Sequence, residues 1–465
     1  MASRGADGVG GAGCAADGTG GSNGSNGSNG AIMANLPDGT DKTDRPDATH
    51  PLRWRLPERC APLLHGGAHV LPHDFSTNTH PAGPLPAVAR AVRAAARHRY
   101  PPADDAALRQ AIGRLHAVDE ARVLLLPSAS AGLHLLARAA ADWAGLGEAV
   151  WPTPGYGEYA AACAAAGLRR VEARGAAAGV AAAAFRAGGR HPSPRLHLWA
   201  EPSSPDGRSD AVALRAVLDV AGHDLVLLDL AYQPMRLDGD PAAEAVMAAG
   251  ACAPAGWLAR GLPHGAARAW QLWSPNKACG LTGVRGAYAL APEGAQAVAA
   301  ALRAAQPSWP LGADGRAMLQ AWAAPATQQA LAASLARVRR WRADLARVLQ
   351  RAGWSVEPDG VSPFLVARAP VDRPWDADRA RAAGVALRAT DSLGLPGAWR
   401  LCARPPRALR ALAVVLADGQ GDGQGHPAAV ARPTAAPAAS ATPAAPLTTP
   451  ADPIPLPRPR AAPPR

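Results

Sequence analysis

The sequence predicts an α/β fold, with a large central domain and a smaller α+β domain built mainly from the C-terminal part. Short apolar runs bounded by turn or charged residues alternate with alanine-rich amphipathic stretches. This alternation is typical of buried parallel strands covered by helices on both faces. Of the 465 residues, 48% are hydrophobic, which is enough for a sizeable core.

The first elements are read from hydrophobic spacing. Apolar residues at intervals of three and four predict helices over Ala87–His98 and Asp105–Ala117. Continuous apolar runs predict buried strands, and these are Arg122–Pro127, Arg195–Pro202 and Asp224–Tyr232.

The later elements predict the smaller domain. A long amphipathic helix is expected over Leu331–Gly353, where a glycine ends it. Three short strands follow, with a helix between the first two, over Phe364–Pro370, Gly384–Ala389 and Ala398–Arg404.

Low-complexity segments flank this globular part. The run GSNGSNGSNG at Gly21–Gly30 has nothing to bury, so residues 1–52 are predicted to be a disordered Gly/Ser/Asn-rich leader. Residues 419–465, rich in Pro and Ala, are predicted to be a disordered tail.

Composition argues against several classes of protein. The net charge is +11, but the arginines are spread along helical segments and aromatic residues are only 5%, which disfavours nucleic-acid binding. No charge-free apolar stretch is long enough to span a membrane, and no apolar h-region opens the chain, so neither a transmembrane helix nor a secretory signal is expected. The six cysteines form no CxxC pair, which argues against a zinc ribbon or a disulfide framework and predicts a protein of the reducing cytoplasm.

One lysine stands out because lysine is so rare here. Of 48 basic residues only Lys42 and Lys277 are lysines, and Lys42 lies in the predicted leader. Arginine can replace lysine where only positive charge matters, but not where a neutral amine must act as a nucleophile. Lys277 is therefore a candidate nucleophile, with a surviving salt bridge as the structural alternative.

The surroundings of Lys277 suit a Schiff-base lysine with an anchored phosphate. Ser274 lies three residues before it and Arg285 eight after it, and a hydroxyl and a guanidinium together suit an anion. Upstream, Asp229 ends a predicted buried strand and Tyr232 follows three residues later. A carboxylate at the carboxyl end of a strand lies where ligands bind in α/β sheets.

On these motifs the sequence resembles the fold-type I pyridoxal-phosphate enzymes over about residues 63–418. Within them it is similar to the subgroup of histidinol-phosphate aminotransferases and threonine-phosphate decarboxylases. The resemblance implies an N-terminal substrate segment at 53–98, a large domain binding pyridoxal 5'-phosphate at 99–310 and a small domain at 311–418.

The resemblance also implies catalytic roles for three residues. Lys277 would form the Schiff base with the cofactor and shuttle the α-proton. Asp229 would pair with the pyridine nitrogen, and Tyr232 would hydrogen-bond the ring's phenolic oxygen. Ser274 and Arg285 would hold the phosphate.

Further cofactor contacts are implied by matching segments. In PSASAG, Ala129 and Ser130 would offer backbone amides to the phosphate, and in PGYGEY, Tyr156 would stack on the ring. Ser204, in EPSSPDG, matches the asparagine that touches the ring oxygen. Tyr100, in RYP, matches a tyrosine that reaches the phosphate across a dimer interface, so a homodimer is implied.

Substrate contacts are implied at three positions. Asn78 lies at the core of DFSTNTHPAGP, and Arg400, in WRLCA, would bind a carboxylate or phosphate. His65 opens the run HGG, which resembles the His-Gly-Gly opening of threonine-phosphate decarboxylases.

Two reactions stay open on a phosphorylated amine or amino acid. Breaking the bond from Cα to the carboxylate gives a decarboxylase, as on threonine phosphate, and the HGG run and DSLGLPG at Asp391–Gly397 favour it. Breaking Cα–H gives a transaminase, as on histidinol phosphate. A third reading, motivated by Ser204 and Ala129, is a binding protein that keeps the fold without the chemistry.

Overall fold

The computed structural model describes Gly67 and residues 71–102, 104–171, 193–250 and 257–418. The predicted leader and tail and the candidate residue His65 lie outside the described residues. Within them the predicted α/β class is confirmed, because a mostly parallel sheet carries helices on both faces.

The described helices are α1 (Pro86–Arg93), α2 (Ala106–His116), α3 (Ala129–Asp142), α4 (Glu158–Ala165), α5 (Ala211–Asp219), α6 (Pro241–Ala248), α7 (Pro275–Ala278), α8 (Gln296–Ala304), α9 (Ala313–Trp322), α10 (Pro325–Arg351), α11 (Ala377–Ala382) and α12 (Pro406–Asp418). The described strands are β1 (His73–Asp74), β2 (Val123–Leu126), β3 (Glu148–Val150), β4 (Arg169–Arg170), β5 (Leu196–Ala200), β6 (Leu225–Asp229), β7 (Trp270–Trp273), β8 (Ala287–Leu290), β9 (Ser355–Val356), β10 (Phe364–Arg368), β11 (Val385–Ala386), β12 (Arg388–Ala389) and β13 (Trp399–Cys402). Single 3₁₀ turns occur at Glu120–Arg122, Gln233–Met235, Trp257–Ala259, His264–Arg268 and Asp391–Leu393.

The large sheet has seven described strands in the order β2-β8-β7-β6-β5-β3-β4. Strands β7, β6, β5, β3 and β4 pair in parallel, whereas β8 runs antiparallel to both of its neighbours. Strand β6 therefore lies in the middle, and the parallel strands bring their carboxyl ends to one edge of the sheet.

Both faces of this sheet are buried. Along β6, Val226 and Leu228 enter one apolar cluster while Leu227 enters the cluster on the opposite face. Successive side chains of a strand point to opposite faces, so a strand covered on both sides must be apolar throughout. This is why these strands appear in the sequence as continuous apolar runs.

A second sheet of four strands, β12-β13-β10-β9, is antiparallel throughout. It packs on the C-terminal half of α10 and on α12 through a third apolar cluster, which includes Leu345, Leu365, Leu401 and Leu412. Phe75, next to β1, also belongs to this cluster, so the N-terminal segment packs against the second sheet.

Three predicted elements differ in extent. The predicted strand Gly384–Ala389 is two strands, because β11 pairs in parallel with β1 and β12 pairs with β13. Helix α1 ends at Arg93 rather than His98, since the Arg97 side chain donates to the last carbonyls of the helix. Helix α10 begins at Pro325, where proline is favoured in the first helical turn, and ends at Arg351.

Candidate active site

Asp229 lies at the carboxyl edge of the large sheet, as the last residue of β6. It is 7% exposed and accepts a hydrogen bond of 3.1 Å from the Ala231 amide. Burial raises the pKa of this carboxyl, while the charge of Lys277 opposes that rise. Its ionised form therefore depends on the cation and the donors around it.

Tyr159, which the sequence did not single out, is one of those donors. It lies in the first turn of α4, is fully buried, and its hydroxyl donates to Asp229 Oδ2 at 3.2 Å. Burial raises the pKa of Tyr159 and Asp229 adds to the rise, so the hydroxyl keeps its proton for this bond. The sequence offers one indication of this residue, which is its spacing of three from Tyr156. At the start of a helix, this spacing brings two side chains near each other.

Lys277 lies in the short helix α7, directly after β7, which is the neighbour of β6. Its Nζ donates to Ser274 Oγ at 3.2 Å and lies 5.6 Å from the centroid of the Tyr232 ring. Burial lowers the pKa of this amine; Asp229 opposes the shift, and the charges of Arg285 and Arg400 add to it. A lowered pKa increases the neutral, nucleophilic fraction of the amine.

The lysine loop, which we define as residues 274–284, is held by its own polar side chains. Ser274 Oγ donates to Asn276 Oδ1 at 2.9 Å, and Asn276 Nδ2 donates to the carbonyls of Thr282 and Val284 at 3.2 and 3.4 Å. These bonds fix the turn that follows Lys277.

Gly280 lets this loop approach the N-terminal segment. Its φ is +70°, and a Cβ there would lie 2.5 Å from the carbonyl oxygen of Gly83. Both the left-handed conformation and the close approach require glycine. Arg285 follows on the exposed side of the loop, and its charge still acts on Lys277.

The predicted phosphate turn forms the start of α3. Ser128 caps the helix by accepting from the Ala131 amide at 3.0 Å. Helix geometry leaves the first-turn amides, including those of Ala129 and Ser130, without intrahelical acceptors, which suits an anion. Gly132 lets the helix lie close to the sheet, since a Cβ there would be 2.7 Å from the Leu126 side chain.

Tyr156 connects this turn to the carboxylate. Its hydroxyl lies 3.4 Å from Ser130 Oγ, and its ring packs edge-on against Tyr159, with centroids 5.7 Å apart. Burial raises the pKa of Tyr156. The ring therefore lies between the phosphate turn and the partner of Asp229.

Tyr232 is paired with a residue of the N-terminal segment. Asn78 Nδ2 donates to the Tyr232 hydroxyl oxygen at 3.1 Å, and the Tyr232 ring packs edge-on against Phe364 at 4.8 Å. Asn78 is 5% exposed, and its Oδ1 is buried without a hydrogen-bond partner. Burial raises the pKa of Tyr232, while the charge of Arg400 and the bond from Asn78 oppose the rise.

Arg400 is a buried cation on β13, 8% exposed. Its guanidinium makes only long hydrogen bonds, to Ser204 Oγ at 3.5 Å and to the Ser76 carbonyl at 3.4 Å, and its Nε has no partner. No carboxylate among the described residues forms an ion pair with it. A buried charge without a counter-ion favours an anionic ligand.

Arg388, which the sequence did not single out, faces Arg400. The two are paired residues on the antiparallel strands β12 and β13, so their side chains share one face. Arg388 is buried and donates to Ser392 Oγ at 2.9 Å. Burial lowers the pKa of Arg388 and the charge of Arg400 adds to that shift. In the sequence it was one arginine among many, and only the strand register reveals it.

Most predicted site residues thus converge at the carboxyl edge of the large sheet and at the adjacent strands β12 and β13, which carry Arg388 and Arg400. Tyr100 does not join them within one chain, because it lies on the surface, 80% exposed, with its ring stacked on Trp309 at 4.5 Å.

Two other features, a metal centre and a membrane-spanning helix, are absent from the described part of the chain. No group of three His, Cys, Asp or Glu side chains there is arranged to hold a metal ion. None of the described helices is long and apolar enough to cross a membrane.

Comparison with known proteins gives a family match. The family model described as aminotransferase class I and II matches residues 73–416. A curated histidinol-phosphate aminotransferase of Ruegeria pomeroyi is 34% identical over 174 residues, which is 36% of this chain and 46% of that protein. The alignment therefore spans about half the length of that relative.

Solved structures share the fold at low identity. A histidinol-phosphate aminotransferase from Sinorhizobium meliloti, in complex with pyridoxal-5'-phosphate, has a TM-score of 0.57 and 21% identity, covering 74% of this chain and 89% of that one. An L-threonine-O-3-phosphate decarboxylase from Porphyromonas gingivalis has a TM-score of 0.56 and 18% identity, covering 74% and 98%.

Proposed function

The chain belongs to the aminotransferase class I and II family of pyridoxal-phosphate enzymes, and we propose that it acts on an amine or amino acid that carries a phosphate group. The observation that carries this proposal is the pair of buried arginines, Arg388 and Arg400, facing each other across β12 and β13. Guanidinium groups bind phosphate and carboxylate through paired hydrogen bonds.

The residues around Lys277 fit pyridoxal 5'-phosphate. The first-turn amides of Ala129 and Ser130, with Ser274 and Arg285, would hold the phosphate. Asp229 would pair with the pyridine nitrogen. Two buried polar atoms, Asn78 Oδ1 and Arg400 Nε, have no partner in the chain and could form hydrogen bonds with polar groups of a ligand. Tyr156, Tyr232 and Ser204 would flank the ring. When bound, the cofactor withdraws electrons from Cα of the amine.

The protein's own groups then direct the reaction. The Lys277 amine, whose pKa burial lowers, would move a proton at Cα of the substrate. Arg388 and Arg400 would bind the anionic end of the substrate. Because both side chains are buried, water would be excluded around them. The orientation fixed by the arginines would decide which bond at Cα breaks.

Our first candidate reaction is decarboxylation of an amino acid phosphate such as L-threonine phosphate. Such a substrate carries a carboxylate and a phosphate, and two facing guanidinium groups offer one cation to each. The HGG run at His65 and the run DSLGLPG at Asp391–Gly397 support this candidate, because both resemble segments of threonine-phosphate decarboxylases.

The second candidate is transamination of a phosphorylated amine such as histidinol phosphate. It is favoured by the 34% identity to a protein named histidinol-phosphate aminotransferase. This substrate has a single anionic group, which both arginines would share.

The visible absorption spectrum of the purified protein tests both candidates. We expect a yellow protein whose band is lost in Lys277→Ala. With L-threonine phosphate, release of carbon dioxide and return of the original spectrum would mark a decarboxylase. With histidinol phosphate and no keto acid, lasting bleaching would mark a transaminase. A protein that stays colourless with added cofactor would instead support a binding protein without catalysis.

We also propose a cytoplasmic homodimer. The exposed Tyr100 and its neighbour Trp309 form an aromatic surface that a second copy would cover. Light scattering should give twice the mass of one chain, and Tyr100→Ala should weaken cofactor retention if Tyr100 reaches the partner's phosphate.

A further inference from the structure

We propose that Asn78 is a positioning residue that directs the hydroxyl proton of Tyr232 into the active site. The proposal rests on the proposed function, because it concerns the group that Tyr232 would meet there. It adds an indirect role to the substrate contact expected of Asn78 from the sequence.

The number of protons on Asn78 and Tyr232 fixes the direction of their hydrogen bond. The Tyr232 hydroxyl oxygen accepts from Asn78 Nδ2 at 3.1 Å. An amide nitrogen can only donate, and a phenol has a single proton. The proton of Tyr232 must therefore point away from Asn78.

Neither basic side chain on the other side of Tyr232 accepts that proton, since Lys277 Nζ is hydrogen-bonded to Ser274 Oγ and the Arg400 guanidinium has only donors. Lys277 Nζ lies 5.6 Å from the ring centroid, and the charge of Arg400 acts on the phenol. Among the described residues, no acceptor is hydrogen-bonded to the Tyr232 proton. The acceptor that completes the arrangement would be an oxygen of the bound ligand, such as the ring oxygen of pyridoxal phosphate.

Asn78 is held firmly enough to impose this direction. On one side of it, Arg404 donates to the Thr77 carbonyl at 2.7 Å. On the other, the His80 amide donates to the Lys277 carbonyl at 2.9 Å. The segment is thus fixed both to the residues just after β13 and to the loop that carries Lys277, and Asn78 itself is buried.

The consequence concerns the protonation of the bound cofactor. A hydrogen bond donated to an anionic oxygen stabilises the deprotonated form. With Asn78 in place, the pH midpoint of the visible band of the Lys277-bound cofactor should be lower than it is without the hydrogen bond from Tyr232. When the direction of the Tyr232 proton is released or reversed, that midpoint should rise.

The test is a spectrophotometric pH titration of the holoenzyme and its variants. Asn78→Asp keeps the size of the side chain but offers an acceptor, so the Tyr232 proton turns away from the site. We expect the midpoint to rise by about one pH unit, a tenfold change in the proton equilibrium. Asn78→Ala should raise it less. Thr77→Val, which removes a hydrogen bond to Asp74 in the same segment, should leave it unchanged.

A double variant separates direction from charge. In a Tyr232→Phe background, Asn78→Asp should cause no further rise, because no phenolic proton remains to be turned. An equal rise in that background would mean that the added charge acts alone, and would overturn the proposal. An unchanged midpoint in both Asn78 variants would overturn it as well. A wild-type protein without a Lys277-dependent band would instead overturn the proposed function.

Discussion

The two ends of the candidate site differ in how completely their polar groups are paired. At the cofactor end, Asp229 accepts bonds of 3.1 and 3.2 Å and Lys277 donates one of 3.2 Å. At the substrate end, Arg400 makes bonds of 3.4 and 3.5 Å and leaves its Nε unpaired. The cofactor end is thus organised within the chain, whereas the substrate end holds positive charge that a ligand has to neutralise.

Removing the amine would abolish the function of the organised end. In Lys277→Ala we expect activity to fall by at least about a thousandfold, because no other described lysine can replace the nucleophile. Turnover assays together with the visible spectrum check this. An active variant would show that the reaction does not depend on Lys277.

Removing one arginine would test the substrate end separately. In Arg400→Gln, kcat/KM should fall by about a hundredfold, since a charge-assisted contact to the substrate is lost, while the visible band stays. Arg388→Gln should have a smaller effect in the same direction.

The exposed Arg410 offers a matched control, and Arg410→Gln should leave kcat/KM unchanged. Loss of the visible band in Arg400→Gln would show that the two ends are not separable.

Two histidines, the buried His80 in the N-terminal segment and His116 at the end of α2, should make the fold less stable in acid. Burial lowers the pKa of His80 to about 4 and that of His116 to about 3. Both stay neutral in the folded chain while the unfolded chain binds protons below pH 6.5, so stability falls as the pH drops toward 4. Each should cost about 2 kcal/mol between pH 7 and pH 5.

Urea unfolding at the two pH values measures this cost. His80→Gln should reduce the loss, whereas His98→Gln, at an exposed histidine, should not. An equal loss in the His80 variant would mean that His80 is protonated in the folded protein.

The smallest effect should come from the second partner of Asp229. Tyr159→Phe removes the donor to Oδ2 and leaves the Ala231 amide in place. The pKa of Asp229 should rise further and kcat should fall by roughly threefold to tenfold, as expected for one hydrogen bond to a charged group. A rise in KM with constant kcat would place Tyr159 at the substrate end instead.

The sequence predicts the cofactor end better than the substrate end, and the reason is physical. Lys277 is marked by the scarcity of lysine, and Asp229 by its position at the end of an apolar strand. Both signals are local. Arg388 has no local signal, because its importance comes from strand register with Arg400, and register depends on partners distant in the chain.

The same limit explains the split of the predicted strand Gly384–Ala389. Its apolar pattern is correct, but one half pairs with β1, which comes from the N-terminal segment. Tyr159 could be predicted in part. Its spacing from Tyr156 is visible in the sequence, but its hydrogen bond to Asp229 depends on the fold.

Gly280 has a consequence for how this protein can change over generations. Any side chain at position 280 would push against the carbonyl of Gly83 and so against the segment that carries Asn78. Position 280 is therefore the point at which the loop that carries Lys277 packs against the segment that carries Asn78. A substitution at position 280 must therefore disturb both parts at once, so we expect position 280 to tolerate only glycine.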